Sequence, residues 1–372
     1  MAGRDSPLLA GVVAFVVMAL FVVVRLVTVA DGDIGQFVVA GTSFVDSSAT
    51  GVPTLSEGGY DGQFSYRLAL DPTDLAVDGD GADLDKPYRT QRIGYPALAW
   101  LFAGGRRSLV PWSLVLVNVL AVAALAVAAG ALARDAGRHA LWGLFAAGFW
   151  AFPFSVGRDL TEPVAAALTV AALLALRRDR LLLAGLALSG AVLTRETALI
   201  VVLGVALSRV RRLSLRPGDA VWLAPVAAFA AWQVICHAAT GTYPVTQGSN
   251  NVGVPFAGLV AYVPGWVRDA FDYMRNWVRL EQLVLLVVMV ARAWRAVTEV
   301  PLHERIAWCV AALIAVSLTD AVLVDWAHFR TLAELYVLSA VALVTSRRSL
   351  TIPAATLAIV WLSSAALLVK EL

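Results

Sequence analysis

Lysine is nearly missing from this chain of 372 residues: of 29 basic side chains only Lys86 and Lys370 are lysine, and the rest are arginine. Cysteine is down to two residues and histidine to four. Charge as a whole is scarce, 15% of residues against 59% hydrophobic, whereas soluble domains carry roughly 25% charged residues. The low charge excludes a soluble globular fold and cytosolic redox chemistry. The arginines stand in short runs between apolar segments, a distribution that sets membrane orientation and offers no nucleic acid a partner surface. Four histidines with no close pairing make a poor zinc site, so no metal ligands are assigned. No phosphate-loop lysine pattern occurs. The apolar segments leave no room for a nucleotide-binding domain, which argues against an ATP-driven pump, and no repeated halves of the secondary-transporter kind are visible. Asp78-Gly-Asp80-Gly-Ala-Asp83 has its glycine at the wrong offset for a calcium loop and lacks the closing glutamate. It reads as a solvated acidic linker.

What the chain has in abundance is apolar runs. The first, Leu8 to Val29, is longer than a signal-peptide core and lacks a small-x-small cleavage site, so it reads as a retained span. Further spans are expected at about 109–133, 141–157, 164–176, 181–193, 198–208, 220–239, 282–294, 306–324, 332–346 and 352–369. The fold expected is therefore all-α, a polytopic transmembrane bundle of about eleven spans in a single membrane domain over residues 1–372. Ile93 to Gly105 decides the orientation. If this segment lies in the interface without crossing, the loops holding Arg134, Arg138, Arg177, Arg178, Arg180, Arg209, Arg211, Arg212, Arg216, Arg292, Arg295, Arg305, Arg347 and Arg348 all fall inside. Only Arg158, Arg195 and Arg330 then mark the short outer turns. The map is N-terminus in and C-terminus out, with a long extracytoplasmic first loop, 30–108, that bears interfacial helices, and a second large one, 240–281. Cys236 and Cys309 fall toward opposite ends of their spans, too far apart to bridge.

Every polar cluster with chemical potential falls on that outer side. Asp33 follows the first span at once, where a carboxylate meets a lipid head group; a solvated helix-end aspartate is the plainer alternative. Tyr60-Asp-Gly-Gln-Phe-Ser-Tyr-Arg reads as a turn into a short helix, with Phe64, Leu68 and Leu75 toward lipid or core and Asp61, Gln63 and Arg67 on its polar side. Its plain alternative is an Asp-Gly turn. Arg89 and Arg92 place two guanidinium forks before the interfacial helix, suited to phosphate or, more simply, to headgroup snorkelling. Arg158 with Glu162, Arg195 with Glu196, and Arg330 with His328 and Glu334 are polar interruptions between apolar runs. Ionisable groups so placed face a cavity or one another. They contact substrate or lock helices together as Arg–Glu pairs.

A span ending in an acidic loop, then an interfacial helix rich in Tyr, Pro and Trp, then short spans with Arg and Glu at their turns, resembles the GT-C superfamily of integral membrane glycosyltransferases over roughly the first 240 residues. Tyr60-Asp61-Gly-Gln-Phe-Ser-Tyr-Arg-Leu-Ala is similar to the aromatic-Asp…Tyr…Ala stretch of mannosyltransferase-type members. Tyr95-Pro96 resembles that of their surface helix, and Asp33 with Gly41 the stretch after the first helix in polyprenyl-phosphate-mannose users. The resemblance implies a polyprenyl-phosphate sugar donor, a lipid or cell-envelope glycan acceptor, and a first-loop carboxylate as base, for which Asp33 and Asp61 compete. The Asp-Glu pair and C-terminal soluble domain of the protein-glycosylating branches are missing, which speaks against a protein acceptor.

Such chemistry needs a base for the acceptor hydroxyl and cations for the departing phosphate. Arg89, Arg92, Arg158, Arg195 and Arg330 are the expected donor-phosphate ligands, with Gln63, Glu162, Glu196 and His328 in support. No cofactor is required, and a divalent metal is compatible with the residues. The expected location is the plasma membrane, multi-pass, with the active site facing outside. Two other classes fit the composition. A flippase or transporter of lipids or lipid-linked sugars would need a polar path to both faces, and a non-catalytic envelope assembly protein would need no outward acid–base cluster.

Overall fold

The computed structural model describes residues 5–79, 81–210, 217–248, 251–269, 274–323 and 330–370. The fold is 75% helical with almost no sheet. Seventeen helices are described: α1 (Pro7–Thr28), α2 (Ser47–Thr50), α3 (Gly62–Leu70), α4 (Gly94–Phe102), α5 (Val110–Asp135), α6 (Gly143–Ala147), α7 (Ala151–Val156), α8 (Glu162–Arg177) and α9 (Leu181–Thr194). They continue with α10 (Leu199–Val210), α11 (Ala220–Thr240), α12 (Ala257–Arg268), α13 (Met274–Ala296), α14 (Leu302–Val316), α15 (Asp320–Leu323), α16 (Ala333–Thr345) and α17 (Thr351–Lys370). Among the described residues three helical stretches are long and apolar enough to cross a bilayer: Pro7–Thr28, Arg107–Asp135 and Ala220–Thr240.

Local chemistry sets many of the helix ends. Proline at the first turn starts α1 and α8, where its missing N–H costs no hydrogen bond. Glu162 adds negative charge at the N-terminus of α8. Gly241, at φ 75°, stops α11 in the left-handed region. On α1, Leu8, Val12, Val16, Leu20, Val23 and Val27 stay exposed in a stripe, a face suited to lipid. The opposite face, with Ala10, Ala14 and Met18, packs on α5, which is buried along most of its length and stands at the centre against α1, α6, α8 and α16.

Arg138, Arg177, Arg178 and Arg348, from three of the arginine-rich turns, gather at one end of α5. Its last residue, Asp135, holds Arg178 at 2.9 and 3.1 Å. Nearby Arg138 donates to the Ser346 carbonyl, Arg177 forks onto Glu304 at 2.6 Å, and Arg348 pairs with Glu299. Asp5 accepts from the Ala140 N–H, so the start of α1 belongs to the same end. At the other end of α5 the Tyr95 hydroxyl donates to the Leu114 carbonyl. There the 30–108 segment folds on itself: Ala40–Gly41 and Thr54–Ser56 form a short parallel pair, and α3 and α4 pack on each other. Nine residues long, α4 extends about 13.5 Å, less than half a hydrocarbon core.

Three expectations need correction. The apolar stretch 141–157 is not one helix: it breaks between α6 and α7 at Gly148, whose freed carbonyl accepts from the Trp361 indole N–H at 2.6 Å. The stretch 306–324 breaks after Val316, because Ser317 and Thr319 pair with the backbone of Gly253 and Asn251. Arg67 is not on a polar face. It is wholly buried and bound to Asp74 at 2.7 Å, while Phe64, Leu68 and Leu75 join Leu84, Ile93 and Cys236 in a small second core. Both cysteines are free, Cys236 buried and Cys309 exposed.

Candidate functional site

Two glycines let the site's segments meet. A Cβ on Gly62 would lie 2.1 Å from the Arg158 carbonyl, so the start of α3, which Asp61 immediately precedes, sits directly on the 157–161 turn. A Cβ on Gly94 would lie 2.4 Å from the Thr194 hydroxyl, so α4 sits on the end of α9 and Arg92 comes to Glu196. The 3-10 turn Pro87–Gln91 carries Arg89 between them.

Arginines and acids alternate across this junction. Arg89 Nη1 donates to Asp61 Oδ1 at 2.9 Å, and Arg330 Nη2 donates to Asp61 Oδ2. The other arm of Arg330 reaches Glu162 Oε1 at 3.1 Å, where Arg195 also donates. Arg195 lies 3.4 Å from Glu334 as well, and Thr197 bridges the two by accepting from Arg195 and donating to Glu334. Beside this chain Arg92 forks onto Glu196 at 2.6 and 3.0 Å, and the Tyr88 hydroxyl accepts from Arg92 and donates to Glu196. Glu162 is buried at 1% exposure, so its charge depends on these partners.

Electrostatics follow from the geometry. Burial pushes the Asp61 carboxyl up, but Arg330, Arg89 and Arg92 together outweigh it and hold the group well below the usual carboxylate range. Glu196 behaves likewise: burial opposes its charge, and Arg92, with help from Arg195, brings it down to about 2.

These groups open on a cavity of about 290 Å³. Lys86, Arg89, Arg92, Arg195 and Arg330 line it against the two carboxylates of Asp61 and Glu196, with Tyr88, Thr197, Asn251 and Thr331 between them. Its other wall is apolar, built from Val252, Ile314, Leu318 and Val322. Asp85, Glu162 and Glu334 pair with these cations from outside the lining, yet the guanidinium N–H donors that face the cavity suit an anion, and the apolar wall suits a hydrocarbon attached to it. Among the described residues no group of His, Cys, Asp or Glu is gathered as a metal site.

Of the residues singled out in the sequence, Asp61, Arg89, Arg92, Arg195, Glu196 and Arg330 line the cavity, and Glu162 stands directly behind it. Three others are placed elsewhere. Asp33 is exposed and caps the 3-10 turn Ile34–Val38 through the Gly35 N–H at 2.8 Å. Gln63 is buried and ties the loop together, accepting from the Gly41 N–H and donating to the Gly58 carbonyl. Arg158 lies over the rings of Tyr60 and Phe154, 4.8 and 4.6 Å from their centroids, and does not line the cavity. His328 lies outside the described residues. Sequence reasoning passed over Tyr88, Thr197 and Lys86: Tyr88 and Thr197 are uncharged and take their places from Glu196 and Glu334 in distant segments, and Lys86 is an isolated lysine beside Asp85.

Comparison of the chain with protein-family models, with curated proteins and with solved structures returns no match.

Proposed function

We propose that this is an integral membrane glycosyltransferase of the GT-C type, which moves a sugar from a polyprenyl-phosphate donor to a lipid or cell-envelope glycan acceptor on the extracytoplasmic face. The observation that carries the reading is one cavity in which two carboxylates, five cations and an apolar wall converge. Asp61 is the base, since of the two competing first-loop aspartates it alone lines that cavity. Its carboxylate takes the proton of the acceptor hydroxyl, and the acceptor oxygen attacks the anomeric carbon. The bond from that carbon to the phosphate oxygen breaks, and its electron pair leaves on the phosphate, whose charge Arg89, Arg330 and Arg92 stabilise. The prenyl chain runs along Ile314, Leu318 and Val322. No nucleotide or electron carrier enters this chemistry.

The test is incubation of purified protein with a polyprenyl phosphate carrying a radiolabelled hexose or pentose, in the presence of envelope lipids and glycans. Release of polyprenyl phosphate with transfer of the label is the expected result. Absence of release and transfer with every sugar tried, in protein that binds no polyprenyl phosphate, overturns the reading.

A further inference from the structure

Asp61 as base meets a physical difficulty. Its side chain makes no capping bond to its own helix, and both of its oxygens are committed to guanidinium groups, Oδ1 to Arg89 and Oδ2 to Arg330. A carboxylate that accepts a charge-assisted bond on each oxygen is stabilised as the anion and accepts a proton poorly. The groups around it reinforce this state: Lys86, Arg89 and Arg92 from the 86–92 segment, Arg195 from the end of α9, and Arg330, against Glu162 and Glu196. Burial acts the other way, and Arg330, Arg89 and Arg92 outweigh it.

The other two arginines of the cavity are differently placed. Arg92 has its own bidentate partner in Glu196, and Arg195 has Glu162 and Glu334. Arg89 depends on Asp61, with Asp85 only at 3.8 Å, and Arg330 divides its forks between Asp61 and Glu162. An entering phosphate therefore finds two forks whose present occupant is the Asp61 carboxylate, an anion of matching shape.

We propose that the donor's phosphate displaces the Asp61 carboxylate from Arg89 and Arg330, so that Asp61 becomes a competent base only after the donor has bound. This rests on the glycosyl-transfer reading above and adds an order to it, donor before acceptor. The same two arginines mask the base in the resting enzyme and neutralise the leaving group in the loaded one. The exchange also keeps an unloaded site from drawing a proton from acceptor or water.

Competition of this kind has a signature in binding alone, without turnover. The full-length protein in detergent is titrated with a polyprenyl monophosphate that carries no sugar. Asp61→Asn removes the competing charge and is expected to bind it at least about fivefold more tightly than wild type, the lower end of ordinary coupling between two sites. Asp61→Ser, smaller and equally neutral, carries the same expectation should the amide fail to fold. Asp85→Asn removes an equal charge near Arg89 from a residue with positive φ that asparagine tolerates, and is expected to change affinity by less than about twofold. Equal or weaker binding by both Asp61 variants, beside a wild type that binds, overturns the exchange and leaves the donor reading standing. Equal tightening by Asp85→Asn reduces the effect to general electrostatics and also overturns it. Absence of binding in every protein overturns both.

Discussion

Arg330 carries two jobs on one guanidinium, with one arm on Asp61 and the other on Glu162. That division needs a planar fork. Lysine at this position keeps the charge but offers a single point, which cannot hold Glu162 on one arm and Asp61, or the phosphate that replaces it, on the other. Arg330→Lys is expected to lower the transfer rate by about 10²-fold, the low end for losing one preorganised donor to a developing oxyanion. Thermal unfolding has to be followed beside it, since a variant that loses rate and stability together speaks for a helix-locking role. At this scale the sequence was informative about charge. Arginine and glutamate are costly inside apolar segments, so their presence at 162, 195, 196 and 330 flagged the site. It was silent on direction: Asp33 and Asp61 both lie beside a glycine in the same loop, and only the folded loop turns one to the cavity and the other to a backbone cap.

At the scale of elements, the pair Arg92–Glu196 joins the 86–92 segment to the turn after α9, with Tyr88 closing the triangle. Glu196 is held at about 2, below the ordinary value of 4.5, so the folded state favours its ionised form. The sign is fixed by linkage: the contribution is fully present above the ordinary value and is lost as pH falls from about 4.5 toward about 2. The stability gap between wild type and Glu196→Gln, read from thermal unfolding, should be widest near neutral pH and should close across that window. A gap independent of pH would show that the pair joins these elements through packing alone. The helices themselves were largely legible from apolar run length, and α5, α8, α9 and α11 begin and end within two residues of expectation. The breaks were not. Gly148 leaves its helix with a carbonyl that Trp361 satisfies from 213 residues away, and no window around Gly148 contains that tryptophan. The same holds for Val316, where the chain turns to pair with Asn251 and Gly253.

At the scale of the molecule, the turns that carry Arg138, Arg178 and Arg348 and the candidate site occupy opposite ends of α5. If the basic end is cytoplasmic, a cysteine at exposed Ser56 reacts in intact cells with a membrane-impermeant maleimide, and one at exposed Arg178 does so only after the membrane is opened. The reverse pattern would put the cavity on the cytoplasmic side and remove the extracytoplasmic acceptor from the account. The account as a whole stands on Asp61 as the base of a sugar transfer. Its most direct test sets the transfer rate of Asp61→Asn beside that of Asp33→Asn, each in protein whose unfolding temperature matches wild type. Loss of a positioned base costs about 10²–10⁴ in rate. The account predicts that loss for Asp61→Asn and a rate near wild type for Asp33→Asn; wild-type transfer by Asp61→Asn, or the loss falling on Asp33→Asn, would contradict it.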